Sequence, residues 1–249
     1  MNENSSCTEE LLPAQTLGVL VARDSRRVKV FDDFNLDFCC GGKETLRDAC
    51  RRKELDLEEV LQRLNEIKDL QDPILGPNEA WHQLSLIELV DNIESTHHSY
   101  LKRELPILEK LSSKVAKVHG KRDSRLLELA FLFRNFKQEL EQHTFKEEVV
   151  LFPYIRDLAS SKEVPLSKFG TVANPISCME TEHDSAASTL TRIRDLTGEF
   201  SAPENACDSW RSLYQGLKQL DGDLRVHIHK ENNLLFPGAV ALEEELGIG

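Results

Sequence analysis

Two near-identical segments that begin 84 residues apart constrain the fold of this chain more than any other feature. The first reads His-Thr-Phe-Lys-Glu-Glu-Val-Val-Leu-Phe-Pro from His143, and the second reads His-Ile-His-Lys-Glu-Asn-Asn-Leu-Leu-Phe-Pro from His227. In each segment a glutamate follows the first histidine by four residues, which places both side chains on one face of an α-helix. We therefore expect two helices that aim an imidazole and a carboxylate at a shared point, each ended by its closing proline.

Two further histidines extend the repeat. His98 precedes His143 by 45 residues, and His183 precedes His227 by 44 residues. Each half of the chain therefore contributes one histidine from an earlier helix and a His/Glu pair from a later helix. Imidazole and carboxylate are ligands that iron, manganese and zinc accept, so the repeat predicts a metal site. The predicted ligands are His98, His143, Glu147, His183, His227 and Glu231.

The number of predicted ligands favours two metal ions over one. Two six-coordinate ions offer about twelve positions, of which four imidazoles and two bridging carboxylates fill about eight. One bridging oxygen fills about two more, so roughly two positions stay open to a small ligand. An open site suits ligand binding, redox chemistry or metal release better than a purely structural role.

Neighbouring histidines leave alternatives open. His97 adjoins His98 and is the competing ligand, because its local sequence Glu-Ser-Thr-His resembles the Glu-Thr-Glu-His that ends at His183. We favour His98 for its matched spacing within the repeat. His229 lies two residues after His227, on another face of the helix, and is expected to face solvent.

Two glutamates near the predicted ligands are candidates for contacts with them. Glu139 lies one helical turn before His143, and Glu182 directly precedes His183. Such carboxylates can hydrogen-bond a ligating imidazole or gate the approach to the site. A solvated helix face explains both residues equally well.

Composition narrows the class of protein and its surroundings. The formal net charge of -12 argues against a nucleic-acid partner, since the sequence shows no basic face. No apolar run is long enough to cross a membrane, and we expect no signal peptide because residues 1–13 are polar and acidic without an apolar core. Six scattered cysteines are too few for a disulfide framework, so we expect a cytoplasmic protein.

The apolar periodicity is helical along the chain, and strand signals are absent, which predicts an all-α protein. From about Leu84 onward, four long helical runs with short connections indicate an antiparallel four-helix bundle. The predicted organisation is a disordered extension over 1–14, a small helical domain over 15–70, a linker over 71–83, the bundle over 84–240 and a tail over 241–249.

The small helical domain contains a pair of adjacent cysteines, Cys39 and Cys40, followed by Gly41 and Gly42. A disulfide between adjacent residues closes a strained ring, so the pair is a poor structural bridge. The glycines permit a tight backbone that another molecule can approach closely. The thiols therefore suit redox exchange, transient iron or cluster ligation, or partner docking. Two small buried residues in a loop are the simpler alternative.

The repeat and its ligands resemble the hemerythrin-like family, whose four-helix bundles bind a non-heme di-iron centre. The segment Asp-Phe-Cys-Cys-Gly-Gly-Lys-Glu-Thr-Leu from Asp37 looks like the small domain that precedes the bundle in bacterial repair of iron centres proteins. The segments Asn-Pro-Ile-Ser-Cys-Met-Glu-Thr-Glu-His from Asn174 and Glu-Asn-Asn-Leu-Leu-Phe-Pro from Glu231 are similar to the bundle motifs of that family. The resemblance covers about Gln15 to Val240.

The resemblance implies two iron ions, bridged by carboxylates and by an oxo or hydroxo group, and a role in repairing iron–sulfur clusters after nitrosative or oxidative stress. All six family ligands are present, with Glu147 and Glu231 as the bridges. The implied partners are damaged iron–sulfur proteins, with nitric oxide or dioxygen as small ligands; no membrane partner is implied, and a homodimer stays open. Iron donation is favoured over multiple-turnover catalysis, with nitric oxide reduction or gas sensing as the alternatives.

Overall fold

The computed structural model describes residues 12–69 and 80–247. Those residues are helices and their connections, without a named strand; one isolated antiparallel bridge pairs Thr16 with Thr45. The prediction of an all-α protein is confirmed. The predicted extension over 1–14 and linker over 71–83 lie largely outside the described residues. Of their described parts, Leu12–Ala14 and Trp81–Gln83 form short 3-10 helices.

Two compact units make up the chain. Of the described residues, the first unit comprises 12–69, 80–89 and 228–238, and the second comprises 90–227 and 239–247. The helices of the first unit's N-terminal part are α1 (Leu17–Arg23), α2 (Arg27–Asp33), α3 (Leu46–Arg52) and α4 (Leu57–Asp69).

Local capping explains where the short helices of the first unit begin. The hydroxyl of Thr16 accepts a hydrogen bond from the Val19 N–H and so caps α1, and Thr45 caps α3 in the same way. The Asp56 carboxylate accepts from the Glu58 N–H at the start of α4. These helices bury an apolar core that includes Leu17, Leu20, Phe31, Leu36, Phe38, Leu46 and Val60.

Most residues of the long helices belong to the second unit, whereas residues 86–89 and 228–238 belong to the first. The helices in chain order are α5 (Leu86–Asn92), α6 (Ser99–His119), α7 (Arg125–Lys146), α8 (Phe152–Ser160), α9 (Ala173–Thr197), α10 (Asp208–Lys230) and α11 (Phe236–Gly247). A short connection joins α6 to α7, and the two helices pack together, so they run antiparallel. Helix α7 also packs against α9. The expected four-helix bundle is confirmed.

Three π-helical turns join helices that would otherwise be separate. Ile93–His98 joins α5 to α6, Glu147–Leu151 joins α7 to α8, and Glu231–Leu235 joins α10 to α11. Each π turn holds one more residue than an α-helical turn, so it rotates all later side chains around the helix axis.

The prediction that proline ends both repeated helices is wrong. Pro153 lies in the first turn of α8, and Pro237 occupies the same position in α11. Each α-helix starts afresh after a π turn, and the N–H that proline lacks has no intrahelical partner in a first turn. The chain therefore continues as helix to Gly247, where the sequence predicted a tail from residue 241.

Candidate metal centre

The π turns determine where several predicted ligands lie. His98 ends the first turn, Glu147 begins the second and Glu231 begins the third. His143 and His227 precede the latter two glutamates by four residues, on α7 and α10, and His183 lies in the middle of α9. Turns of this kind occur often at functional sites, because they re-aim side chains without breaking the helix.

One set of side chains gathers around His98. Its Nε2 atom lies 3.3 Å from Oε2 of Glu147 and 3.2 Å from Nε2 of His227. His98 also stacks on the Phe152 ring at 5.5 Å, which holds the plane of the imidazole. Two imidazole nitrogens and one carboxylate oxygen therefore converge on one point.

The other oxygen of the Glu147 carboxylate belongs to a second set of side chains. Oε1 of Glu147 lies 3.2 Å from Nε2 of His143, and that nitrogen lies 3.0 Å from Nε2 of His183. Glu147 thus places one oxygen in each set, as a bridging carboxylate does.

Glu231 follows His227 by one helical turn and takes part in both sets. Ligand atoms of His98, Glu147, His227 and Glu231 all lie within 4.8 Å of one another. The same holds for His143, Glu147, His183 and Glu231. All six predicted ligands are brought together, and His98 rather than His97 is the histidine that joins them.

These donors fit a pair of metal cations. All six residues are at most 5% exposed, and burying carboxylates this deeply is costly unless a cation or a hydrogen-bond network compensates them. Donors about 2.1 Å from one ion at a right angle stand about 3 Å apart, close to the observed spacings. Each set offers two imidazoles and a share of two carboxylates, so the arrangement can hold two ions.

Carboxylates outside the two sets fix the orientation of two imidazoles. Oε1 of Glu148 lies 2.8 Å from Nδ1 of His98, and Lys102 donates to both oxygens of Glu148 at 2.7 and 2.8 Å. Burial by itself would raise the pKa of Glu148, but the hydrogen bonds from Lys102 and His98 outweigh it and lower that pKa. An ionised carboxylate only accepts, so Nδ1 carries the proton and Nε2 presents its lone pair.

Glu182 does the same for His143. Its Oε2 atom lies 2.8 Å from Nδ1 of His143, and its other oxygen pairs with Lys146. Burial again opposes the shift, and hydrogen bonds from Lys146 and His143 lower the pKa of Glu182. Of the two glutamates named from sequence, Glu182 contacts the candidate ligand His143, whereas Glu139 is exposed on α7.

Sequence reasoning missed Glu148, the residue that corresponds to Glu182 around His98. It directly follows Glu147 within a π turn, where ordinary helical spacing does not indicate which way it points. Sequence reasoning also did not predict the contacts of His97, whose Nδ1 lies 2.9 Å from Oδ1 of Asp223. The His97 ring stacks on His227 at 5.3 Å, so this histidine packs beside the candidate ligands.

The expectation that His229 faces solvent is wrong. His229 is fully buried against Phe38 and Trp81, and its Nδ1–H donates to the Phe38 carbonyl at 3.1 Å. Burial lowers the pKa of His229 to about 4, so the ring is neutral at pH 7. A second face of the helix is therefore buried, which spacing along one helix does not reveal.

The adjacent cysteines lie in a loop ordered by Asp37. Its Oδ1 atom accepts from the backbone N–H groups of Cys39 and Cys40, each at 3.1 Å, and from the Cys39 thiol at 3.2 Å. The Asn233 amide donates to the Cys39 carbonyl at 2.9 Å. Cys39 is buried and Cys40 is half-buried, so Cys40 is the more accessible thiol.

Fold and site together place the chain in the class of hemerythrin-like four-helix bundles. The hemerythrin HHE cation binding domain matches residues 89–239, and a domain of unknown function (DUF542, ScdA_N) matches residues 13–68. No helix in the described residues is long and apolar enough to span a membrane.

Curated relatives narrow the class further. The iron-sulfur cluster repair protein YtfE of Dickeya chrysanthemi is 38% identical over 227 residues, covering 91% of this chain and 96% of the relative. The proteins of the same name from Yersinia pestis (strain Pestoides F) and Yersinia pseudotuberculosis are each 37% identical over 226 residues, with the same coverage. The chain therefore belongs to the hemerythrin HHE cation binding family, and within it to the iron–sulfur cluster repair proteins.

Proposed function

We propose that this protein holds two iron ions and supports the repair of damaged iron–sulfur clusters by supplying iron. The observation that carries the proposal is the pair of buried four-residue sets that share Glu147 and Glu231. Its relatives are named iron-sulfur cluster repair proteins, and they are similar to this chain over 91% of its length, which supports the same role.

In this proposal, one group of residues binds the ions and another orients the imidazoles that bind them. His98 and His227 would hold one ion, His143 and His183 would hold the other, and Glu147 and Glu231 would contribute a carboxylate to each. Glu148 and Glu182 keep Nε2 of His98 and His143 available for the metal. Bound iron supplies redox chemistry and open coordination positions at which nitric oxide or dioxygen can bind.

The chemistry of the donors favours delivery of iron to a cluster. The site offers nitrogen and oxygen donors, whereas iron–sulfur clusters are held by cysteine thiolates. The thiolates of a damaged cluster would therefore replace the nitrogen and oxygen donors of this site during delivery. Glu148 and Glu182 are partly exposed and lie beside the buried imidazoles, so their movement would open the ligands to solvent.

Metal analysis tests the ligand assignment directly. We expect two irons per chain in the purified protein and none in the double variant Glu147→Leu/Glu231→Leu, because leucine keeps the volume but removes both bridges. Glu139→Leu is the matched control, since Glu139 is exposed on α7, and it should keep both irons. One zinc per chain in the wild type would contradict the proposal.

Activity assays distinguish iron donation from catalytic turnover at the site. The iron-loaded protein should restore a nitric-oxide-damaged iron–sulfur enzyme without added iron, and the iron-free protein should not. Equal recovery with both forms would reject iron donation. Rapid multiple-turnover production of nitrous oxide by the reduced protein under anaerobic conditions would instead identify a nitric oxide reductase.

For the adjacent cysteines we propose a role in docking or redox exchange with the damaged protein. Cys40 is the more accessible thiol, so Cys40→Ser should slow repair more than Cys39→Ser. Both variants should keep their iron. Unchanged repair by the double serine variant would show that the thiols only pack in the loop.

A further inference from the structure

Helix α7 presents an exposed apolar stripe to solvent. Leu127 is 53% exposed, Phe131 66%, Phe145 63% and Val149 56%. At 100° per residue, Leu127, Phe131 and Phe145 fall within about 40° of one another around the helix. Val149 follows in the adjoining π turn. A contiguous patch of large exposed apolar side chains often marks an interaction surface, whereas single exposed apolar residues are normal.

The stripe lies on the outward side of α7, between two contacts with neighbouring helices. Lys137 reaches Glu109 of α6 at 3.4 Å, and Glu128 reaches Arg192 of α9 at 2.5 Å. Along the stripe, a groove of about 640 Å³ is lined by Gln138, Glu141, Gln142, Phe145 and Lys146. The packing of the bundle therefore leaves this face uncovered.

The order of residues along the stripe is symmetric about Gln138. Phe131 and Phe145 each lie seven residues from it, and Leu127 and Val149 each lie eleven residues from it. When two copies of a helix pair antiparallel across a two-fold axis, residues equally far from the central residue meet each other. Each phenylalanine would then pack on the other phenylalanine of the second copy.

The charges on the stripe follow the same symmetry. Arg134 lies four residues before Gln138, and Glu141 lies three residues after it. The axis therefore brings Arg134 of one copy within one residue of the position opposite Glu141 of the other copy. Opposite charges meet on both sides of the axis, which favours this register over a parallel arrangement.

We propose that this face of α7 is a homodimer interface in which two copies pair antiparallel about Gln138. The polar residues between the phenylalanines, Arg134, Gln138, Glu141 and Gln142, make the face unsuited to a lipid surface. An unrelated partner would not require the two halves of the stripe to match. The inference rests on the outer face of the bundle alone and does not depend on cluster repair.

Sedimentation of the full iron-loaded chain tests the interface. The wild type should form a dimer with a dissociation constant below about 100 μM. Phe131→Glu and Phe145→Lys should each raise the dissociation constant at least ~30-fold, as loss of a central aromatic contact does. Leu166→Glu is the matched control, because Leu166 is fully exposed in the connection between α8 and α9, away from the stripe, and it should leave the dimer intact.

The double variant Phe131→Glu/Phe145→Lys tests the register. In the antiparallel pair each new glutamate lies opposite a new lysine, so dimerisation should recover relative to both single variants. Iron content and helical circular dichroism establish that every variant is folded. A monomeric wild type, equal disruption by Leu166→Glu, or a double variant that fails to recover would each overturn the proposal.

Discussion

At the scale of single residues, the chemistry of the site depends on the carboxylates that hold the imidazoles. Glu148 and Glu182 have lowered pKa values because lysine and histidine hydrogen bonds outweigh the effect of burial. Both are therefore ionised at neutral pH and require a proton on Nδ1 of His98 and His143. The metal-facing nitrogen of each ring is set by a residue that does not itself touch the metal position.

We predict that Glu148→Ala lowers iron affinity by about 10- to 100-fold, because His98 loses the partner that fixes its tautomer and ring plane. Competition with a chelator measures the loss. Glu139→Ala, on the exposed face of α7, is the control and should retain iron like the wild type. Equal losses in the two variants would show that Glu148 does not orient His98.

Gly18 is important for stability because its backbone lies close to the Asn233 side chain. A Cβ atom at Gly18 would overlap the Asn233 side chain, whose amide donates to the Cys39 carbonyl at 2.9 Å. Alanine there must displace that amide from its hydrogen bond. Gly222, inside α10, is a matched helical glycine whose added Cβ would meet no atom within 4 Å.

We predict that Gly18→Ala lowers the free energy of unfolding by about 1–3 kcal/mol, the usual cost of overpacking. Gly222→Ala should be neutral or stabilise by up to about 1 kcal/mol, because alanine favours helix over glycine. Urea unfolding measures both changes. In an Asn233→Ala background the cost of Gly18→Ala should shrink, and an unchanged cost would exclude the Asn233 contact as its cause.

At the scale of helices, the start of α9 is held by a residue of α11. Glu243 accepts hydrogen bonds from the Val172 N–H at 3.0 Å, from Tyr154 and from Thr171. Burial alone would raise the pKa of Glu243, but these donors lower it. The carboxylate thus satisfies the Val172 N–H at the N-cap of α9 and, through Thr171, ties down the loop before it.

We predict that Glu243→Gln destabilises the protein by about 1–2 kcal/mol at pH 7, the usual loss for charge-assisted hydrogen bonds. The pKa of Glu243 is depressed in the folded state, so its contribution is fully present above the ordinary value of 4.5 and disappears as pH falls below it. Thermal unfolding from pH 7 to pH 3 should show the two proteins converging. The exposed Glu244→Gln serves as control, and a difference that grows with acid would contradict the prediction.

At the scale of the whole molecule, we expect metal binding and folding to be coupled. Two buried carboxylates, Glu147 and Glu231, converge with four imidazoles, and bound cations would offset the repulsion between the two carboxylates. A ligand that binds only the folded protein stabilises it by mass action, by about 2.7 kcal/mol at one hundred times its dissociation constant.

We predict that chelation of iron lowers the thermal midpoint of the wild type by several degrees. The double variant Glu147→Leu/Glu231→Leu should show no such shift, because it has no iron to lose. Calorimetry with and without chelator measures both midpoints. Identical midpoints for the iron-loaded and stripped wild type would contradict a coupling between metal and fold.

The sequence by itself determined the helical class, the four-helix bundle and the six candidate ligands. Helical periodicity and the repeated spacing of His143 to Glu147 and His227 to Glu231 are local properties, so they survive without knowledge of the packing. The same local reasoning also found Glu182, because it adjoins His183.

Only the tertiary structure decided which side of each helix faces the site. The π turns rotate the chain by about 100° relative to ordinary helical spacing, so spacing could not establish that Glu148 contacts a ligand or that His98 displaces His97. Those turns also place Pro153 and Pro237 where proline is tolerated. His229 is buried by Phe38, which lies 191 residues away in sequence, and no local pattern encodes a contact over that distance.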